Sequence, residues 1–207
     1  MKAIGSCALV LLLGLSAAVP AAEPVSPADN TPDATASGSP TADILDIIAR
    51  VAKRTGKQFI LDPRVRGPVL ITGLDLQRVD FPRLLAILRI NQFMAYESGG
   101  VVVVAPDANG RQMPIPVTTS VNPKALDDEL VTVLVNLRYA CSMHLVPVLR
   151  PLMPQAAHMA AFPPTNSMLL SDHADNTRRI LDIIDKLDKQ AQALKQQGCT
   201  DPAAKSN

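Results

Sequence analysis

Two proline-punctuated stretches, residues 23–40 and 108–127, cut the chain into blocks of roughly 65 residues, so its ordered part must be built as small domains with thin cores. Residues 23–40 (EPVSPADNTPDATASGSP) contain almost no large apolar side chain. Such a segment cannot bury enough surface to offset its chain entropy, and it reads as a disordered linker. The 207 residues carry 20 basic and 19 acidic side chains, a net charge of +1. That balance supplies no basic field for nucleic acid or an acidic membrane. Aromatic residues make up 3% of the chain, too few for base- or sugar-stacking surfaces.

The apolar excess is concentrated at the start. Met1-Lys2 is a short positive region, Ala8–Leu15 a compact apolar run, and Ser16–Ala22 a stretch of small residues ending in a cleavage-compatible Val19-Pro20-Ala21 or Pro20-Ala21-Ala22. This three-part pattern predicts a secretory signal peptide over residues 1–22, and hence a periplasmic protein. The apolar run is too short to span a membrane comfortably. Cys7 precedes it, so a lipoprotein reading fails. Removal of 1–22 takes one base and no acid, leaving 19 of each, and two of the three cysteines, Cys141 and Cys199. In an oxidising compartment these two are able to pair. The lack of periodicity around Cys199 favours a free tail thiol beside a packed Cys141, but the residues leave the pairing open.

The block 41–107 opens with Ile44, Ile47, Ile48 and Val51 at helical spacing, capped by Thr41 or Asp43 and stopped by Gly56. Short strands are expected at Gln58–Leu61 and Val65–Thr72. A second helix begins at Asp80 with Pro82 in its first turn and Leu84, Leu85, Ile87 and Leu88 as its stripe. A hairpin follows, Met94–Glu97 and Val101–Ala105 around Ser98-Gly99-Gly100.

The block 128–190 reads β-α-β-β-α. Glu129–Leu137 alternates most clearly. A helix over Ser142–Leu152 presents Leu145, Val148, Leu149 and Leu152, with Pro147 expected to kink or shorten it. Met159–Phe162 and Ser167–Leu170 form short strands, and the last helix turns Ile180, Ile183, Ile184 and Leu187 inward. Residues 191–207 lose periodicity and read as a disordered tail.

Four groups of residues carry potential chemistry. Ser171-Asp172-His173 are adjacent, and neighbours in sequence do not in general converge on one substrate atom. They read better as a cap, with Asp172 or Asp175 accepting from the last helix. Cys141 and His144 share a helix face, but no second tight pair with His158 or His173 completes a metal set. Lys57, Arg64 and Arg66 surround Asp62 as a solvated, locally paired turn, and Asn166 is a turn residue. No catalytic residue, cofactor, metal or small-molecule substrate is therefore expected.

Two sets of motifs are specific. Asp43–Ile48, Thr55–Gly67 (TGKQFILDPRVRG) and Gly100–Pro106 resemble the first N-terminal (N0) domain of the secretin of type II secretion systems. Val135–Ala140, Leu149–Leu152, Thr165-Asn166-Ser167 and Asn176–Asp188 resemble the ring-building (N1) domain that follows it. The resemblance implies an α+β protein of two small α/β-sandwich-type domains in tandem, the second of KH-like order. That second unit lacks the Gly-x-x-Gly loop and basic excess of RNA-binding KH modules, which argues against RNA. The resemblance further implies a non-catalytic interaction module in secretion across the outer membrane. Its partners would be an inner-membrane clamp protein and secretin subunits, with weak self-association, because the long C-terminal barrel region of secretins has no counterpart here. The family's first domain opens with an apolar strand, and its place here, Ala34–Pro40, is strand-poor; an incomplete sheet would leave an edge open to a partner strand. The alternatives are a signalling module of the TonB-dependent receptor type, whose context lacks the second unit, and a truncated secretin remnant.

Overall fold

The computed structural model describes residues 41–195 and 198–199. The expected signal peptide 1–22, linker 23–40 and end of the tail, 200–207, lie outside the described residues.

The first lobe starts with a short strand, β1 (Thr41–Asp43), and passes directly into α1 (Ile44–Thr55). Asp43 caps that helix, its carboxylate accepting from the Leu45 N–H at 2.8 Å. Gly56 ends it in the left-handed region, φ 71°, its N–H donating to the Ala52 carbonyl at 2.9 Å. A strand therefore does precede the first helix, but at 41–43, and it pairs antiparallel with β3 (Pro68–Leu70). The broader strand expected over Val65–Thr72 is confined to those three residues because its partner β1 is only three residues long. A second sheet takes β2 (Phe59–Leu61) parallel to β5 (Val101–Pro106), and β5 antiparallel to β4 (Phe93–Ser98). Gly99 and Gly100, both at positive φ, make the two-residue turn between β4 and β5. Across this sheet lies α2 (Phe81–Ile90), capped by Asp80. Ile44, Ile47, Val51, Leu84, Leu88, Val102 and Val104 are essentially inaccessible. Each such side chain contributes roughly 1.5–3 kcal/mol of burial.

Residues 108–127, expected as a linker, are largely exposed but are anchored to both lobes at a few points. A 3-10 turn spans Asp107–Gln112, and β6 (Val117–Thr118) lies parallel to the next strand, while Leu126 packs on the first core.

The second lobe has the expected order: β7 (Leu130–Asn136), α3 (Ser142–Leu149), β8 (His158–Phe162), β9 (Ser167–His173) and α4 (Ala174–Ala193). Its sheet runs β6-β7-β9-β8, with β7–β9 and β9–β8 antiparallel. One cross-strand row, Val133–Leu170–Met159, is buried against α3 and α4. Pro147 withholds an N–H and shortens α3, which gives way at Arg150–Leu152 to a 3-10 turn. The buried stripe of α3 is only Leu145 and Leu149 wide: Val148, still within the helix, is 61% exposed because the lobe covers a narrow face, and the change of phase leaves Leu152 exposed as well, contrary to expectation.

Two further expectations are corrected. First, of the two caps expected for α4 only Asp175 serves, its carboxylate accepting the Asn176 N–H; β9 extends through His173, so Asp172 lies in the strand. The first N–H groups of α4 go largely to backbone: Ala174 and Asp175 donate to the carbonyls of Glu129 and Asp127 at 2.8 and 3.1 Å, while the Asn176 N–H goes to the Asp175 carboxylate. Second, the described part of the expected tail, 191–195 and 198–199, is tied to the lobe. α4 continues to Ala193 with Ala191 buried, and Cys199 forms a disulfide with Cys141, so Cys199 is not a free thiol.

Candidate interaction surfaces

Three features are candidates for function: the junction of the two lobes, the loop at the start of α3, and the uncovered faces and edges.

The junction is electrostatic at its rim and apolar inside. Arg89, in the last turn of α2, places one guanidinium nitrogen 2.7 Å from Asp128 and 2.9 Å from Asp175. Burial lowers the Arg89 pKa, but hydrogen bonds and charge from both carboxylates outweigh it and raise the pKa above its ordinary value. Arg178 of α4 bonds Asp127 at 2.8 Å and the Ala125 carbonyl at 2.6 Å. Inside, Gly110 sits where an added Cβ would lie 3.1 Å from Leu130 and 3.3 Å from Met94. A Cβ here would press on the ends of both side chains, so glycine eases the close approach of β4 of one lobe and β7 of the other. Beside it is a cavity of about 500 Å³ lined in part by Arg89, Arg111, Asp172 and His173. None of Arg89, Gly110, Asp128 or Arg178 was singled out from sequence; no periodicity or spacing marks a contact between two domains.

The loop 137–142 is held from two sides. The Asp188 carboxylate of α4 accepts the N–H groups of Arg138, Tyr139 and Ala140 at 3.1, 2.8 and 2.7 Å. Asn166, left-handed at φ 50°, donates to the Leu137 and Ala140 carbonyls at 3.1 and 2.8 Å and accepts from the Ser142 N–H at 2.8 Å. These bonds give the Leu-Arg-Tyr-Ala and Thr-Asn-Ser motifs a shared physical reason: the second fastens the first.

The residues considered for chemistry do not assemble a reactive centre. The Ser171 hydroxyl accepts from Thr132 at 3.2 Å, whereas His173 Nδ1 lies 3.3 Å from the buried Asp172 carboxylate, whose other oxygen accepts from Asn176 at 2.7 Å. Cys141 is consumed by the disulfide. Among the described residues no three His, Cys, Asp or Glu side chains converge as metal ligands. The basic residues around Asp62 separate: Arg64 binds Asp62 through two side-chain bonds of 2.9 Å, and Lys57 pairs with Glu97 over the Phe81 ring. The side-chain bond to Arg64, with its backbone bond and charge, lowers the Asp62 pKa to about 2.

The uncovered surfaces carry large apolar side chains. In the first lobe, Leu70 on β3 is 75% exposed and Ile60 on β2 is 57% exposed. In the second, α3 (SMHLVPVL) has no Asp, Glu, Lys or Arg and turns Met143, His144, Pro147 and Val148 outward. On the opposite side of that lobe the outer sheet face carries Leu134, Leu169, Ala160 and Phe162 beside Thr132, Ser171 and His158, again with no Asp, Glu, Lys or Arg. Among the described residues no helix is long and apolar enough to cross a membrane.

Comparison with known proteins agrees with this architecture. Residues 40–104 match the GspD-like N0 domain, and residues 132–193 match the bacterial type II/III secretion system short domain. The secretin XcpQ of Pseudomonas aeruginosa is 30% identical over 151 residues, 72% of this chain and 22% of XcpQ. The secretin ExeD of Aeromonas hydrophila is 29% identical over 153 residues, 72% of this chain and 22% of ExeD. The chain thus spans about a fifth of the length of these relatives. Among solved structures it is similar to a chain of the Klebsiella pneumoniae type II secretion system outer membrane complex of PulD, PulS and the PulC HR domain, with a TM-score of 0.62 and 27% identity over 73% of this chain and 26% of that one. With these two domains in this order on two tandem α+β lobes, the chain belongs to the N-terminal domains of the secretins of type II secretion.

Proposed function

We propose that this protein is a non-catalytic, periplasmic interaction module of protein secretion across the outer membrane, docking to inner-membrane and secretin components. The observation that carries the reading is the consecutive match of both lobes to secretin domains on a fold like that of a chain in the Klebsiella complex, which also contains the PulC HR domain. The first lobe is the docking unit for the inner-membrane partner. Its small β1–β3 sheet and the exposed Leu70 offer backbone edges and apolar surface to an added strand. The second lobe packs against secretin subunits. Its two uncovered surfaces, α3 on one side and the outer sheet face on the other, suit head-to-tail packing of like domains, which is heterologous and needs two different complementary patches. Neither patch holds an Asp, Glu, Lys or Arg side chain that packing would have to desolvate.

The test is mild crosslinking in envelope preparations of the bacterium that makes the protein, followed by affinity recovery through this chain. Recovery of an inner-membrane secretion component and of secretin subunits is the expected result. A preparation that yields neither, while an intact secretin control yields both, removes the proposal.

A further inference from the structure

The disulfide lies outside everything the two domain matches explain, and its surroundings suggest a use. After α4 ends at Ala193, Lys195 adopts the left-handed region at φ 56° and turns the chain. Gly198 then donates its N–H to the Tyr139 carbonyl at 2.8 Å. Gly198 is itself left-handed at φ 64°, and a Cβ there would lie 3.0 Å from the Asn166 amide. Cys199 completes the return by bonding Cys141 at the start of α3. The loop it closes spans 58 residues and encloses α3, β8, β9 and α4.

The loop 137–142 does not depend on this bond. Asp188 and Asn166 already satisfy its polar groups from α4 and from the β8–β9 turn. The disulfide adds one thing: it fastens the segment following α4 back onto the loop. We propose that the Cys141–Cys199 bond is a redox clasp that sets where the chain leaves the second lobe. Oxidised, Gly198 and Cys199 are held against Tyr139 and Asn166; reduced, they are released while the lobe stays folded.

The chemistry balances as a dithiol exchange. The two thiols lose two protons and two electrons and form one S–S bond. The electrons pass to the disulfide of a protein thiol oxidant through a mixed disulfide, and that oxidant leaves as a dithiol. Cys141 is buried, whereas Cys199 is half-buried, so exchange starts from the Cys199 side. Such a bond persists only in an oxidising compartment. Cys7 is the only other cysteine and falls in the segment expected to be removed, so no competing thiol remains to scramble the pair.

The test uses the full chain as recovered from the cells that make it, without reductant. Non-reducing peptide mapping should recover Cys141 and Cys199 in one linked pair. Brief trypsin treatment, which cuts after the exposed Lys195 and after Lys205, should then remove Ser206-Asn207, add one water at the Lys195 cut and leave residues 196–205 attached through the disulfide. After dithiothreitol the same cut should release them. Reduction should also lower Tm by about 10 °C, the scale for a loop of this length, with cooperative unfolding retained. The Cys199→Ser variant should release 196–205 without reductant; because its Cys141 partner is buried, reduction of the unaltered chain provides the independent arm. Alkylation of both thiols in the unreduced chain would overturn the proposal. So would a reduced chain that keeps its Tm within about 2 °C and is cut after Lys195 no faster than before.

Discussion

Replacing Arg89 by methionine would keep the aliphatic stem of the side chain and delete only its charge, which isolates the ionic part of the lobe junction. At about 3 Å and an effective dielectric of about 20, each of the two contacts is worth on the order of 5 kcal/mol gross. Three terms reduce that figure. Arg89 is partly desolvated, its side chain being 29% exposed; Asp128 and Asp175 repel each other; and water reaches all three groups. A net loss of about 2 kcal/mol is expected, between an exposed pair and a fully buried one. For a cooperative unit of this size that corresponds to a Tm lower by about 6 °C. Urea denaturation of Arg89→Met, Asp175→Asn and the double variant gives the coupling directly. Asp175→Asn should cost about 1 kcal/mol in the unaltered chain and nothing, or a slight gain, in the Arg89→Met background, because the substitution there relieves repulsion between two unpaired carboxylates. If Asp175→Asn costs the same in both backgrounds, the three groups are not coupled and the junction is held by Gly110, Met94 and Leu130 alone. High salt should shrink the coupling, since the groups are not sealed from solvent.

Asp188→Ala should destabilise the second lobe by about 3 kcal/mol, read by urea denaturation, because three loop N–H groups lose a charged acceptor; Asp188→Asn should cost less, as one oxygen remains to accept from Tyr139 and Ala140. Leu149→Ala, at a fully buried site, should cost about 3 kcal/mol, whereas Val148→Ala on the same helix should cost under about 0.5 kcal/mol. The folded-state pKa of Asp62 lies below its unfolded value, so its pairing with Arg64 stabilises the fold above pH 3.8 and is lost as pH falls towards about 2. An NMR titration of the Asp62 carboxyl should give a midpoint of about 2, returning towards 3.8 in Arg64→Ala.

Much of the fold is legible in the residues because it rests on local rules. Asp43 and Asp80 are caps, Gly56 is a stop, Gly99-Gly100 is a hairpin turn, and Pro147 shortens its helix; each depends on neighbours a few positions away. The spacing of Ile44, Ile47, Ile48 and Val51 fixes a buried helix face whatever lies opposite it. The signals fail where a residue's role is set by something distant. Val148 is apolar and at the right spacing, yet exposed, since the sheet covers only a narrow stripe of α3. Asp172 has the chemistry of a cap but lies in β9, because pairing with β7 continues through His173.

By itself, the sequence determined two small α+β units, their element order and their likeness to secretin domains, since periodicity, turn chemistry and short motifs are properties of contiguous residues. Only the tertiary structure decided that the stretch 108–127 is anchored through Val117–Thr118 and Leu126, that Arg89 bridges to Asp128 and Asp175, that Asp188 and Asn166 share one loop, and that Cys199 returns to Cys141. Each of these joins residues far apart along the chain, 86 positions for Arg89 and Asp175 and 58 for the disulfide. No local pattern encodes such a contact, because it exists only once separately folded elements have been brought within a few ångströms of each other.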